Sequence, residues 1–192
     1  MILENNFKKK FGKNLGENVK LSNYSWFNLG GTADYFLKAK DKNHLKEFLK
    51  EADKKKLKVT ILGAGSNTLF RDNGVRGAVI KLGKEFSFIK KIDENIIEVG
   101  AATLDRKVAN FAKDNNLENL EFLSCIPGSI GGAIIMNSGC YDNDMSKIVI
   151  SVNVLDIKKM TEKEVKKENI NFFYRGTDLS NGFIILSVKL RC

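Results

Sequence analysis

The chain has 192 residues, a formal charge of +9 from 32 Lys and Arg against 23 Asp and Glu, and 43% apolar residues, the balance of a globular chain with one domain or two small lobes. No apolar run approaches the ~20 residues that span a bilayer, and the Lys-rich segment 1–11 lacks a secretory apolar region, so neither a membrane partner nor export is expected. One Pro against 16 Gly excludes collagen and Pro-rich disorder.

In chain order, residues 1–20 are polar and basic and read as a helix or an ordered lead-in. A short strand is predicted at 35–39. Asp41 then offers an N-cap, and Leu45, Phe48, Leu49 and Ala52 follow at the spacing of an amphipathic helix ending near Lys56. Strands are predicted at 59–62, 78–82, 86–92 and 96–99. Thr103 is expected to cap a second helix with Leu104, Val108, Phe111 and Ala112 on one face. A Gly-rich stretch, 127–139, comes next. Ile148, Ile150, Val152 and Val154 alternate like a half-buried strand. Thr161 to Glu164 spells a capping box for a short helix, and 183–190 a last strand. The pattern is α+β. A composition shift near 100–103 divides it into a lead-in (1–20), a first lobe (21–100) and a second lobe (101–192).

Cys125, Cys140 and Cys192 are odd in number and form no Cys-x-x-Cys pair, and His44 is the only histidine. A disulfide framework and a metal site are therefore not expected, and free thiols point to a reducing, cytoplasmic compartment. The lone histidine also removes any Ser/His or Cys/His nucleophile pair. At an apparent helix start, His44 reads as a surface residue. The positive charge has two readings: attraction of phosphates, in nucleic acid or in a nucleotide, or a Lys-rich solvated exterior. No zinc-finger, basic-zipper or aromatic RNA-binding signature accompanies it, so no nucleic-acid partner is expected.

Two glycine-rich loops carry the chemistry. In the first, Gly63, Ala64, Gly65, Ser66, Asn67 and Thr68 follow a predicted strand; small residues let backbone N–H groups approach an anion, and the polar side chains add donors. It is not a Rossmann fingerprint, because Thr68 stands at the third glycine position and Arg71-Asp-Asn-Gly74 is a turn rather than a helix. A phosphate cradle and a structural turn both remain open. The second loop holds the only proline, Pro127, then Gly128, Ser129, Gly131, Gly132 and Ala133, with Asn137 and Gly139 beyond. Its glycines would let backbone lie close to a ligand, and Ile134, Ile135 and Met136 could cover a flat apolar ring. Tight helix-on-strand packing is the alternative. Two such loops favour a ligand with two phosphates and a ring system.

These loops, with Trp26-Phe-Asn-Leu-Gly-Gly-Thr-Ala-Asp34, Leu62-Gly-Ala-Gly-Ser-Asn67, Leu120-Glu-Phe-Leu-Ser-Cys-Ile-Pro-Gly-Ser-Ile-Gly-Gly-Ala133, Met136-Asn-Ser-Gly-Cys-Tyr141 and Phe173-Tyr-Arg175, resemble the UDP-N-acetylenolpyruvoylglucosamine reductase family from about Leu21 onward. The resemblance implies a two-lobed FAD-binding domain of the vanillyl-alcohol-oxidase / p-cresol methylhydroxylase type, with the flavin between the lobes. It implies a cytoplasmic oxidoreductase of peptidoglycan precursor synthesis, hence of cell-wall biogenesis, cell shape and division. NADPH reduces the flavin, and hydride then passes to the enolpyruvyl ether of the UDP-sugar, giving UDP-N-acetylmuramate. By the same resemblance 63–68 would wrap the FAD pyrophosphate; Pro127, Gly128, Ser129, Gly131, Gly132 and Ala133 would line the flavin, with Asn137 and Gly139 nearby. Arg175 would be the catalytic arginine on the substrate carboxylate, with Tyr174 as a substrate-pocket neighbour.

The sequence departs from the family pattern at Asn28 (usually Arg or Lys), Thr32 (Pro), Ala64 (Gly) and Cys125 (Gly). Gly176 is unusual after the arginine and is expected to loosen its placement. The family also continues into a third domain that bears a serine proton donor and a catalytic glutamate, neither with a counterpart here. This leaves a fragment, a site completed by a separate chain, or a flavin-binding module without complete reductase activity.

Overall fold

In the computed structural model, which describes residues 2–180 and 182–192, the chain forms two units, the first closing at Gly83 and the second opening at Lys84. The first contains α1 (Ile2–Phe11), β1 (Leu15–Lys20), β2 (Thr32–Ala39), α2 (Lys42–Lys54), β3 (Val59–Leu62) and β4 (Val75–Leu82). Its sheet runs β1-β2-β4-β3, with β1 antiparallel to β2 and the other three strands mutually parallel. Asp41 caps α2 as predicted, accepting from the His44 N–H at 2.8 Å, and Leu45, Phe48, Leu49 and Ala52 are its buried face. His44 is half-buried rather than on the surface, its ring edge-on to Phe11.

Adjacent strand residues point to opposite faces. Tyr35 meets Phe7 of α1, which packs against Phe48 of α2; Phe36 joins Leu21, Leu62, Phe70 and Val79 on the other side. The sheet is thus covered on both faces, the usual condition of parallel strands. Because β4 inserts between β2 and β3, residues 63–74 must return the chain from the carboxyl ends of the parallel strands to their amino ends. They do so without a helix.

The second unit contains β5 (Ile89–Asp93), β6 (Ile96–Gly100), α3 (Asp105–Asp114), α4 (Ile130–Ile135), β7 (Gly139–Cys140), β8 (Asn143–Asp144), α5 (Met145–Ile148), β9 (Val149–Asp156), β10 (Glu162–Lys166), β11 (Phe172–Phe173), β12 (Gly176–Thr177) and β13 (Phe183–Arg191). Its antiparallel sheet has the order β10-β9-β13-β6-β5. Val188 lies opposite both Val99 and Val152 and forms the apolar face with them. The other face carries a polar network. Ser187 donates to Glu98 at 2.7 Å and accepts from Asn153 at 2.9 Å. Glu164 accepts from Ser151 at 2.6 Å and from Lys189 at 2.9 Å.

Several expectations are corrected. The unit boundary falls at 83/84 rather than 100/101, because β6 pairs with β13 and so draws the β5–β6 hairpin into the second sheet. The predicted lead-in is not separate, since β1 pairs with β2. The strand predicted at 86–92 is shortened to β5, with a single 3-10 turn before it. The apparent capping box at Thr161 opens no helix; residues 162–166 form β10, paired along β9, so ladder hydrogen bonds override the local signal. Thr103 does not cap α3: its hydroxyl donates to the Phe88 carbonyl at 3.1 Å, and Leu104, which is 45% exposed, takes the cap position.

Candidate functional site

The first glycine loop is held by hydrogen bonds from residues 25–31 to its backbone carbonyls. Trp26 N–H donates to the Gly65 carbonyl at 3.0 Å, Ser25 Oγ to the Thr68 carbonyl at 2.7 Å, and Gly31 N–H to the Arg71 carbonyl at 3.0 Å. A Cβ on Gly65, whose φ is +81°, would lie 1.9 Å from the Tyr24 carbonyl oxygen. This close approach packs the first glycine loop against the segment that leads into Trp26. The amides of Ala64, Gly65, Ser66 and Asn67 donate to no acceptor among the described residues. Gly65 is therefore structural, while the amides around it remain free for a ligand. A row of unsatisfied N–H groups fits an anion such as a diphosphate.

In the second unit the Gly-rich segment is only partly a loop, since α4 occupies its middle. A bridge between Leu104 and Ser129 fixes its start: Asp105 N–H donates to the Gly128 carbonyl at 3.2 Å and Ile130 N–H to the Thr103 carbonyl at 2.9 Å. A Cβ on Gly131 would meet Ala101 at 3.1 Å, and one on Gly128 would meet an Asp105 carboxyl oxygen at 2.5 Å. Protein packing explains both glycines. It does not explain Gly132, where an added Cβ would meet only Ser129 Oγ, at 3.7 Å. Pro127 is exposed, while Ser129 and Ala133 are buried. Ile134 is fully buried and belongs to the core rather than to a ligand surface, leaving the half-buried Ile135 and Met136 for that role.

The Asn137 side chain is engaged within the protein, donating to the Phe173 carbonyl at 3.3 Å and accepting from Ser146 N–H at 3.0 Å. It joins the end of the Gly-rich segment to the β11–β12 hairpin and to α5. Gly139 packs within the β7–β8 hairpin, where a Cβ would lie 2.4 Å from the Asn143 carbonyl.

Tyr174 and Arg175 form the two-residue turn of the β11–β12 hairpin. Both are exposed, and the guanidinium lies 5.3 Å from the Tyr174 ring centroid. Arg175 has φ +59°, a conformation few non-glycine residues adopt. Gly176 does not leave this turn loose. It is buried, and the Phe173 ring lies where its Cβ would be, 2.1 Å away. Glycine here lets the ring pack across the hairpin and hold the arginine-bearing turn.

Sequence reasoning missed Asp105. Its residue is 0% exposed, both carboxyl oxygens lack a hydrogen-bond partner, and burial pushes its pKa up to about 7. An Asp in the first turn of a helix ordinarily reads as a solvated partner for the helix dipole, and only the structure shows it enclosed behind Gly128. No group of three or more His, Cys, Asp or Glu positioned for a metal occurs among the described residues. The three cysteines are free. No helix among the described residues is long and apolar enough to cross a membrane.

Sequence comparison places residues 33–161 within the FAD binding domain family, and the chain belongs to that family. Over this FAD-binding part it is similar to UDP-N-acetylenolpyruvoylglucosamine reductases. The enzyme of Orientia tsutsugamushi (strain Ikeda) is 44% identical over 174 residues, covering 89% of this chain and 56% of the relative. That of Wolbachia pipientis subsp. Culex pipiens is 37% identical, covering 91% and 58%. The crystal structure of the Thermus caldophilus reductase superposes with a TM-score of 0.78 at 31% identity, over 90% of this chain and 60% of that one. The chain thus spans between half and two thirds of the length of these relatives. Substrate-bound p-cresol methylhydroxylase superposes with a TM-score of 0.68 at 17% identity, over 96% of this chain and 41% of that one, which shows the shared fold. The expected fold class, α+β of the vanillyl-alcohol-oxidase / p-cresol methylhydroxylase type, is the one observed.

Proposed function

We propose that this chain binds FAD and contributes the flavin part of a cytoplasmic reductase that converts UDP-N-acetylenolpyruvoylglucosamine to UDP-N-acetylmuramate with NADPH. The observation that carries the reading is the row of free amides at 64–67 in a member of the FAD binding domain family. Bound FAD supplies hydride transfer from NADPH to the enolpyruvyl double bond. The amides of 64–67 hold the diphosphate. The absent side chain at Gly132 leaves room for the flavin ring. The Arg175 guanidinium pairs with the substrate carboxylate and stabilises the negative charge that gathers beside it as hydride arrives. Tyr174, against the guanidinium, limits where that carboxylate can sit.

The test is stepwise. Purified protein mixed with FAD and then freed of unbound flavin by gel filtration is expected to stay yellow, to bleach with NADPH under anaerobic conditions, and to regain colour with the enolpyruvyl sugar nucleotide. Failure to take up FAD overturns the reading. A second reading is a flavin-binding module without complete turnover. Bleaching with no return of colour supports that alternative.

Two substitutions sharpen the site. Gly132→Ala is expected to keep the wild-type unfolding midpoint yet lose flavin uptake, because the new methyl group meets no protein atom closer than 3.7 Å. Unchanged uptake removes Gly132 from the flavin site. Arg175→Ala is expected to keep flavin and the bleaching step and to slow the return of colour by about 100-fold or more. Loss of flavin in this variant would contradict a substrate role.

A further inference from the structure

A second basic feature lies beside the first glycine loop. Strand register pairs Lys81 of β4 with Lys38 of β2 on one side and with Leu62 of β3 on the other. Both lysines therefore stand at the carboxyl ends of the parallel strands, where open sheets of this kind bind ligands. Lys81 is half-buried, and its Nζ donates to the Gly63 carbonyl at 2.5 Å. Lys38 is exposed, with its Nζ 5.8 Å from the Tyr24 ring centroid. Neither has a carboxylate partner among the described residues.

A half-buried ammonium with only a carbonyl partner is costly, and a second cation beside it raises the cost. Burial and the charge of Lys38 together hold the Lys81 pKa below the usual lysine value. The free amides at 64–67 follow directly from the carbonyl that Lys81 holds. An anion received by the amides that follow would also lie in the field of this ammonium.

We propose that Lys81 is a binding residue for the diphosphate of the dinucleotide. One of its three N–H groups holds Gly63 in place, and its charge is presented to the anion that the following amides receive. The inference rests on the flavin reading above and adds to it the residue that supplies the neutralising charge. Lys38, the exposed strand neighbour, strengthens the local positive potential.

The test measures FAD affinity by flavin fluorescence at low and high salt for wild type, Lys81→Met and Lys81→Arg. Wild-type affinity is expected to fall as salt screens the charge. The Met variant should bind about tenfold more weakly at low salt, the effect of losing one charge-assisted contact, with a flattened salt response. The Arg variant should restore both. A Met variant that binds like wild type overturns the inference. So does one that binds more weakly with the wild-type salt response and no rescue by Arg, because Lys81 would then only shape the loop. Salt-independent binding by the wild type also overturns it, which keeps the test decisive even if the Met variant does not fold. A wild-type chain that takes up no FAD overturns the flavin reading and this inference together; the other outcomes leave that reading intact.

Discussion

Asp105→Asn is expected to make the protein more stable at pH 8 and to leave its stability unchanged near pH 4. The reason is the enclosed carboxyl behind Gly128, whose two oxygens find no partner and whose pKa is pushed up to about 7 by burial, against an ordinary value of 3.8. Between these values the folded chain keeps the proton and the unfolded chain releases it. The folded state then binds more protons, so the stability of the wild type falls as pH rises from about 4 to about 7 and is level above that. The rise corresponds to at most about 4 kcal/mol. Asn presents a donor and an acceptor in the same shape, as the protonated acid does, but cannot ionise. Urea unfolding at several pH values should show the two proteins diverging across this window. An Asn variant less stable at every pH would mean that the carboxylate is charged and paired in solution.

The second large effect is expected at Gly65. Ala there would adopt φ +81° and place its Cβ 1.9 Å from the Tyr24 carbonyl oxygen. The left-handed backbone alone costs about 1–2 kcal/mol. The clash adds to this, because the Cβ is fixed by its own backbone and the Tyr24 carbonyl is main chain, so neither can rotate away. Gly65→Ala should lower the unfolding midpoint and abolish FAD uptake together, whereas Gly132→Ala should abolish uptake alone. A Gly65→Ala protein with the wild-type midpoint would show that the loop is not held by residues 24–26 in solution.

The difference between these two glycines marks what the sequence could convey. Both stand out as small residues in a loop, but only the structure shows that Gly65 is crowded by Tyr24, distant in the chain, and that Gly132 is not. Local signals were legible wherever the deciding contacts are local. The Asp41 cap and the buried stripe of α2 are an example, since both depend on residues within one helix. Signals failed where a partner far along the chain decides. Thr103 is a good helix cap by type, but the Phe88 carbonyl takes its hydroxyl. The Thr161 segment is drawn into pairing with β9. Gly176 reads as slack beside Arg175 until the Phe173 ring is seen to cover it. Lys81 is one lysine among many in the sequence and becomes a candidate ligand only once strand register sets it beside Gly63.

The outermost strands of the five-stranded sheet have a consequence for solubility. Open edges invite pairing with another chain, and lysine is a common natural guard against it. Here both rims carry exposed lysines, Lys90 and Lys91 on β5 and Lys163 and Lys166 on β10. On β10 they alternate with the exposed Glu162 and Glu164, so an approaching strand would have to strip water from a row of charges before it could pair. Part of the chain's excess positive charge is thereby a barrier to runaway sheet extension and aggregation.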